Sequence, residues 1–350
     1  MTPRNKKAAI GSDLKKLGKI AFGFKKQGKF REAEEKYLEI LKKDPDNTYA
    51  LVGIGDLKRL KKNFLEAVRY YRRCIEIEHD NWYALAGIGD AFRGLKDMDS
   101  ALEAWRRCLD LYPYEYKIVS RIADGLKKKG DLVNSKKYYL KALQENPHDP
   151  YSLMGLGQIA VEQGDDEEAL RFFEKLIAVN RRPVGALTAA ANIYRKRKSF
   201  EKAMELYEKA INLEPKNPYA LGGKADCLRG MKRYPSAIRL WEIALENGMD
   251  QKIGLTRIGD SYISLNDYER AETNYRKAMN IGYDKYAYLG MSKVHAMKDR
   301  FDKALEILKM LVDKEPGDPR ISAESRILME KYPQARELYS KSPPPGRELH

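Results

Sequence analysis

Residues 46–56 read DNTYALVGIGD, and the phrase returns at 80–90 as DNWYALAGIGD, at 149–158 as DPYSLMGLGQ and at 217–227 as NPYALGGKADC. Each copy opens on Asp or Asn, side chains that accept hydrogen bonds from the first free backbone N–H groups of a helix. Ala, Leu and Gly follow at helical spacing, so each copy starts a helix just after a turn. Outward from this phrase a fixed period emerges. Ala33, Ala67, Ala101, Ser135, Ala169, Ala203, Ala237 and Ala271 stand 34 residues apart without a break, and Ala304 follows one residue early. One helical turn after each comes a large side chain: Tyr37, Tyr71, Trp105, Tyr139, Phe173, Tyr207, Trp241, Tyr275 and Leu308. Twelve residues before each stands another small one: Ala21, Gly55, Gly89, Ala123, Gly157, Ala191, Ala225, Gly259 and Ser292.

Small side chains facing small ones mark two helices at close approach. Turn segments such as KKQGKF, KKKGDL and VEQGDD separate the two halves, and Pro45, Pro113, Pro147, Pro215 and Pro316 close successive units. A single helical hairpin has an apolar stripe it cannot cover alone, so the hairpins must stack into one continuous core.

This arrangement of small, aromatic and proline positions, running from residue 14 to about 318, resembles the tetratricopeptide repeat family. The resemblance implies an all-α, right-handed superhelical solenoid of about nine helical hairpins, with a concave groove lined by the first helix of each pair. Four departures are mild: His79 and Arg181 replace the closing proline, the turn at Glu246, Asn247 and Gly248 lacks one, and Ser135 replaces alanine. Residues 1–13 read as a basic N-terminal segment, 14–318 as the repeat array and 319–340 as a capping helix carrying Ile321, Ile327, Leu328, Ala335 and Leu338. Residues 341–350, ending PPPGRELH, read as a flexible tail.

Composition bounds the function. The 350 residues carry a formal net charge of +15, and residues 1–31 hold ten Lys or Arg against the single acid Asp13. That end attracts phosphate or an acidic partner through its long-range field. No apolar run is long enough for a signal peptide or a membrane span, which predicts a cytoplasmic protein without a membrane partner. Cys74, Cys108 and Cys227 are odd in number, lack CxxC spacing and read as packed, reduced thiols. His79, His148, His295 and His350 neither cluster nor recur beside a Ser, Cys or acid. The expectation is no enzyme, no catalytic residue, no metal and no cofactor.

The residues of the first helices that share one face form columns along the array. Tyrosine opens the face at Tyr49, Tyr83, Tyr151, Tyr219 and Tyr286, over a floor that includes Val52, Ala86, Ser120, Met154, Thr188 and Gly222. A polar column follows, Asp56, Asp90, Asp124, Gln158, Asn192, Asp226 and Asp260, and one turn on stand Arg59, Arg93, Lys127, Arg195 and Arg229. Each Asp with its own basic neighbour is worth only about 0.2–0.5 kcal/mol, too little for folding to require it. Chaperone-binding members of the resembled family clamp a terminal carboxylate, and Lys117 and Arg121 match two clamp positions. Val52, Asp56 and Gly87 stand where Lys and two Asn belong, and Asp56 repels a carboxylate.

Two functions follow. The first is a non-catalytic scaffold or adaptor that binds a peptide segment or helix of a protein partner in the groove. The second is a nucleic-acid-associated protein holding phosphate through the basic N-terminus and a stripe of basic residues after the hairpin turns, Lys61 and Lys62, Lys127 to Lys129, Arg195 to Lys198, and Lys232 with Arg233. Five aspartates in the polar column disfavour the second, and lysines at helix ends also answer the helix dipole.

Overall fold

The computed structural model describes residues 3–334 and 336, with side chains from residue 13 onward. The tail at 341–350 and part of the basic segment at 1–13 therefore lie outside the described side chains. Among the described residues there are nineteen helices and no strand, and within each of two units every helix packs on the next to form consecutive hairpins. The chain forms two units, Met1–Val179 and Asn180–His350.

The first unit contains five hairpins: α1 (Pro3–Lys26) with α2 (Phe30–Lys43), α3 (Thr48–Leu60) with α4 (Phe64–Ile77), α5 (Trp82–Gly94) with α6 (Met98–Leu111), α7 (Tyr116–Lys128) with α8 (Leu132–Glu145), and α9 (Pro150–Glu162) with α10 (Asp166–Val179). The second contains four: α11 (Val184–Lys196) with α12 (Phe200–Leu213), α13 (Pro218–Gly230) with α14 (Tyr234–Glu246), α15 (Gln251–Ser264) with α16 (Tyr268–Ile281), and α17 (Lys285–Met297) with α18 (Phe301–Lys314). A single helix α19 (Pro319–Lys331) follows and packs on α17 and α18. Ile321 and Leu328 of α19 are buried against Leu308 and Leu311, which closes the apolar face of the last hairpin. The backbone of α1 is helical from Pro3, so the helix extends through the segment that precedes the repeat pattern.

Capping residues start the helices where the repeated phrase places them. Asn47, Asn81, Asp149, Asn217 and Asp318 each accept a backbone N–H from the first turn that follows. The turns inside the hairpins use a left-handed residue at a 34-residue spacing: Gly28, Lys62, Lys96, Gly130, Gly164, Lys198, Lys232 and Asn266 all have φ between 59° and 83°. Several lysines of the basic stripe are thus fixed by backbone geometry. A side-chain-bearing residue pays about 1–2 kcal/mol for that conformation, and glycine does not.

The recurring aromatics Tyr37, Tyr71, Trp105, Phe173, Tyr207, Trp241 and Tyr275 are all fully buried, and the small residues that precede them are completely enclosed. Ser135 keeps its hydroxyl satisfied inside the hairpin by donating to the Ala123 carbonyl at 2.7 Å, and Ser292 does the same with Ala304 at 3.0 Å. The replacement of alanine at these close approaches therefore leaves no orphaned polar group. Burial pushes the Cys74, Cys108 and Cys227 thiols up to about 11, which keeps them protonated and unreactive.

Within each unit, first helices pack on one another as well as on their own partners, at α1 with α3, α3 with α5, α7 with α9, α11 with α13, α15 with α17 and α17 with α19. Successive second helices do not pack to the same degree among the described residues. The first helices therefore form the tighter, inner side of each stack. At α5 with α7 and at α13 with α15 this inner packing is thinner.

Candidate functional site

The inner face of each unit begins with the tyrosines. Tyr151 and Tyr219 are 76% and 78% exposed, and Tyr83, Tyr49 and Tyr286 are also exposed. They sit at the second or third position of helices whose caps are hydrogen bonded, so their backbone is fixed while the ring faces solvent. Tyr83 packs on Trp82 with ring centroids 4.2 Å apart, and Tyr49 donates its hydroxyl to the Gly18 carbonyl at 3.3 Å. Tyr49 is thus tied to the preceding hairpin, whereas Tyr151 and Tyr219 project furthest.

The polar column and the basic column, expected to pair one turn apart within a helix, also pair across the stack. They interlock between hairpins. The basic residue of one hairpin reaches the polar residue of the next, 31 positions on: Lys25 with Asp56, Arg59 with Asp90 at 3.8 Å, Arg93 with Asp124 at 3.9 Å, Lys127 with Gln158, and Arg195 with Asp226 at 3.0 Å. The one-turn pairs expected from sequence also form, Arg59 with Asp56 at 3.7 Å and Arg93 with Asp90 at 3.4 Å. Asp90 and Asp226 are consequently buried, only 8% and 9% exposed, a correction to the reading of an open acidic column.

The buried aromatics complete the ladder. Tyr71 donates its hydroxyl to Asp56 at 2.7 Å, Tyr207 to Asn192 at 2.6 Å and Tyr275 to Asp260 at 2.6 Å. Burial pushes the Tyr207 phenol up to about 12 and lifts those of Tyr71 and Tyr275 further, so each remains a proton donor. Arg195 joins three of these groups, reaching Tyr207, Asn192 and Asp226. Burial also raises Asp260 above the usual carboxylate range, against the pull of Tyr275 and the nearby Arg229, Lys293 and Arg257.

Two hairpins in the array differ. A tyrosine such as Tyr71 extends toward the next hairpin and rests on a glycine there: Tyr37 on Gly53, Tyr71 on Gly87, Tyr139 on Gly155 and Tyr207 on Gly223. A Cβ at any of these glycines would overlap the ring. Where the aromatic is Trp105 or Trp241, the glycine position is taken by Arg121 or Arg257. Trp105 turns its Nε1 back to the Ala86 carbonyl of its own hairpin at 3.3 Å, which frees the space for an arginine. Arg121 then meets Asp90 at 3.3 Å, and Arg257 pairs with Asp226. Asp90 is held by three arginines, Arg59, Arg93 and Arg121.

These are also the places where the inner packing is thin, and a cleft opens beside each. In the first unit a cleft of about 730 Å³ is lined by Arg93, Tyr116, Lys117, Ser120, Arg121, Asp124, Lys127, Tyr151 and Gln158, among others. In the second unit a cleft of about 580 Å³ is lined by Arg229, Lys252, Thr256, Arg257, Asp260, Asp284, Tyr286 and Arg320, among others.

Of the residues expected to line one groove, Arg93, Lys117, Arg121, Asp124, Lys127, Tyr151 and Gln158 share the first cleft, and Arg229 lies in the second. Asp56, Arg59, Asp90, Asn192, Arg195 and Asp226 belong instead to the interlocking ladder. Tyr49, Tyr83 and Tyr219 are exposed on the face but line neither cleft. Arg257 and the hydroxyl of Thr256 escaped the sequence reading, although a break in the glycine column at Arg121 and again at Arg257 marks them. Several stripe lysines bind carboxylates of neighbouring hairpins, Lys61 with Glu34 at 2.7 Å and Lys129 with Asp99. Among the described residues no group of His, Cys, Asp or Glu is placed to hold a metal ion, and no helix is long and apolar enough to cross a membrane.

Comparison with known proteins adds the family. Five family models, each described as a tetratricopeptide or TPR repeat, match residues 23–78, 83–113, 126–191, 191–222 and 254–281, together more than half of the chain. No curated protein sequence matches. The fold is similar to that of a tetratricopeptide repeat protein from Parabacteroides merdae ATCC 43184, with a TM-score of 0.56 and 17% identity over 71% of this chain and 98% of that one. It is also similar to a chain of the APC/C hetero-tetramer Cut9–Hcn1, with a TM-score of 0.59 and 13% identity over 85% of this chain and 59% of that one. Pseudomonas aeruginosa pilF gives a TM-score of 0.54 and 17% identity over 62% of this chain and 97% of that one. With the 34-residue period, the stacked hairpins and these matches in hand, the chain belongs to the tetratricopeptide repeat family.

Proposed function

We propose that the protein is a non-catalytic interaction scaffold that holds a peptide segment or helix of a protein partner on the inner face of its first helices. The observation that carries this reading is the exposure of Tyr83, Tyr151 and Tyr219 on capped helices beside a charge ladder that is already locked. Tyrosine brings large contact area at low conformational cost, and a face whose ion pairs are fixed before binding pays little ordering entropy when a partner arrives. Family membership supports the class of activity, since helical-hairpin stacks offer extended binding faces.

The test is capture of a partner from lysate by the intact chain and by Tyr83→Ala combined with Tyr151→Ala. Both residues are exposed, so the double variant keeps its helical circular dichroism. Loss of the captured protein supports the reading, and undiminished capture by a folded double variant refutes it.

The basic N-terminus favours a second reading, nucleic-acid association, because ten Lys or Arg fall within residues 1–31. Binding through phosphate would weaken steeply as salt rises and would vanish from the capture after nuclease treatment. The pairing of Lys25, Lys61 and Lys129 with carboxylates leaves less free charge along the edge for that role.

A further inference from the structure

We infer that the chain carries two equivalent clefts, one in each unit, that each take the acidic side chains of a partner segment. This inference rests on the scaffold reading and names the chemistry of the ligand. Its basis is an internal duplication of four repeats, which the 34-residue period conceals. Arg93 and Arg121 of the first cleft recur as Arg229 and Arg257 in the second, in each case 136 positions on, and Ser120 recurs as Thr256. The tryptophan that makes room for the arginine recurs with them, Trp105 as Trp241, and so does the buried aspartate, Asp90 as Asp226. Tyr151 on the rim of the first cleft is answered by Tyr286 in the second. Arg93 and Asp90 belong to columns that recur in other hairpins too, whereas the combination of Trp105 with Arg121 recurs only as Trp241 with Arg257, and that pair sets these two junctions apart.

Charge selects the ligand. The first cleft presents four cations against two carboxylates, and the second four against three. The arginines are only partly enclosed: Arg121 and Arg257 keep 30% and 31% of their side-chain surface exposed beside Asp90 and Asp226, so N–H groups turned away from the aspartate face the cleft. A guanidinium already oriented by a buried aspartate holds its remaining N–H groups in a fixed fork, the geometry that recognises a carboxylate. The serine or threonine hydroxyl and the rim tyrosine supply a donor and an apolar wall beside it. A lysine-bearing segment would meet these cations at a cost, so the clefts also discriminate by repulsion.

The probe is a fluorescent peptide of alternating Glu and Leu with both ends blocked, so that side-chain carboxylates are its only anions. Calorimetric titration of the full chain should show two equivalents bound, with the Lys–Leu counterpart not binding. Arg121→Ala and Arg257→Ala should each remove one equivalent, and the two together should abolish binding. Because both arginines neutralise buried aspartates, exposed Lys117→Glu in the first cleft and Arg320→Glu in the second provide folded variants, each weakening its own equivalent by roughly tenfold or more. A single equivalent, no saturable binding, insensitivity to these substitutions, or equal and equally sensitive binding of oligothymidylate would overturn the inference. Should the peptide fail while the tyrosine double variant still loses its partner, the acidic-ligand assignment falls and the scaffold reading stands.

Discussion

The junction after α4 and the junction after α6 solve one packing problem in two ways. At the first, Tyr71 spans the gap between hairpins, wedged between Gly55 of its own hairpin and Gly87 of the next, and its hydroxyl satisfies Asp56. At the second, Trp105 folds back on its own hairpin, an arginine occupies the vacated place, and Asp90 is neutralised by guanidinium groups at ion-pair distance, with no phenol to donate to it and its Oδ1 left without a hydrogen bond. The tyrosine junction is closed by ring-to-backbone contact. The tryptophan junction leaves the first helices less tightly packed and a cationic cleft beside them. A repeat protein thus makes a site by changing two coupled positions and keeping its period.

Breaking this contrast should cost most at the tryptophan. Trp105→Ala empties a fully buried site and should lower stability by about 3–5 kcal/mol in urea titration, with the loss concentrated in the first unit's hydrogen-exchange protection. Asp90→Ala should cost about 3 kcal/mol, because three partly buried arginines lose their counter-charge together. At the tyrosine junction, Gly87→Ala forces a methyl into the Tyr71 ring and should cost about 1–3 kcal/mol by the same measurement. No comparable loss is expected for truncating Tyr151, whose ring lies in solvent.

Two further changes sharpen the account in the stabilising direction. Asp260 has its folded-state ionisation raised by burial, so its charged form costs the folded state stability at neutral pH. Asp260→Asn should therefore stabilise the chain at pH 7. The gain should shrink as pH falls through the raised value and vanish below the ordinary aspartate value, where folded and unfolded forms are both protonated; a pH series of urea midpoints checks this. Lys96→Gly should stabilise by up to about 1 kcal/mol, since Lys96 holds a φ of 64° that glycine adopts freely.

Much of the fold could be read from residues alone because its determinants recur. The buried aromatics, the small pairs and the capping Asn and Asp residues all return at 34 positions, and each has a local physical reason. The candidate site was legible only in part. Tyr151 of the tyrosine column and Arg121, singled out only through the resemblance, line one cleft, but Asp90 and Asp226 are consumed by partners 31 positions away. Helical periodicity within one hairpin shows only the pairing of Arg93 with Asp90, three residues apart. Contacts across the stack depend on how far one hairpin shifts against the next. The signal that survived in the sequence was an exception to the repeat: arginine at 121 and 257 where neighbouring hairpins have Gly53, Gly87, Gly155 and Gly223.

Photo-crosslinking from chosen faces tests the central claim most directly. A benzoylphenylalanine replacing Tyr151 or Tyr219 on the inner face is compared with one replacing Val133, an equally exposed position on the second helix α8. The account predicts a crosslinked partner from positions 151 and 219 and none from 133. Crosslinking from 133 alone, or equally from all three, would contradict it.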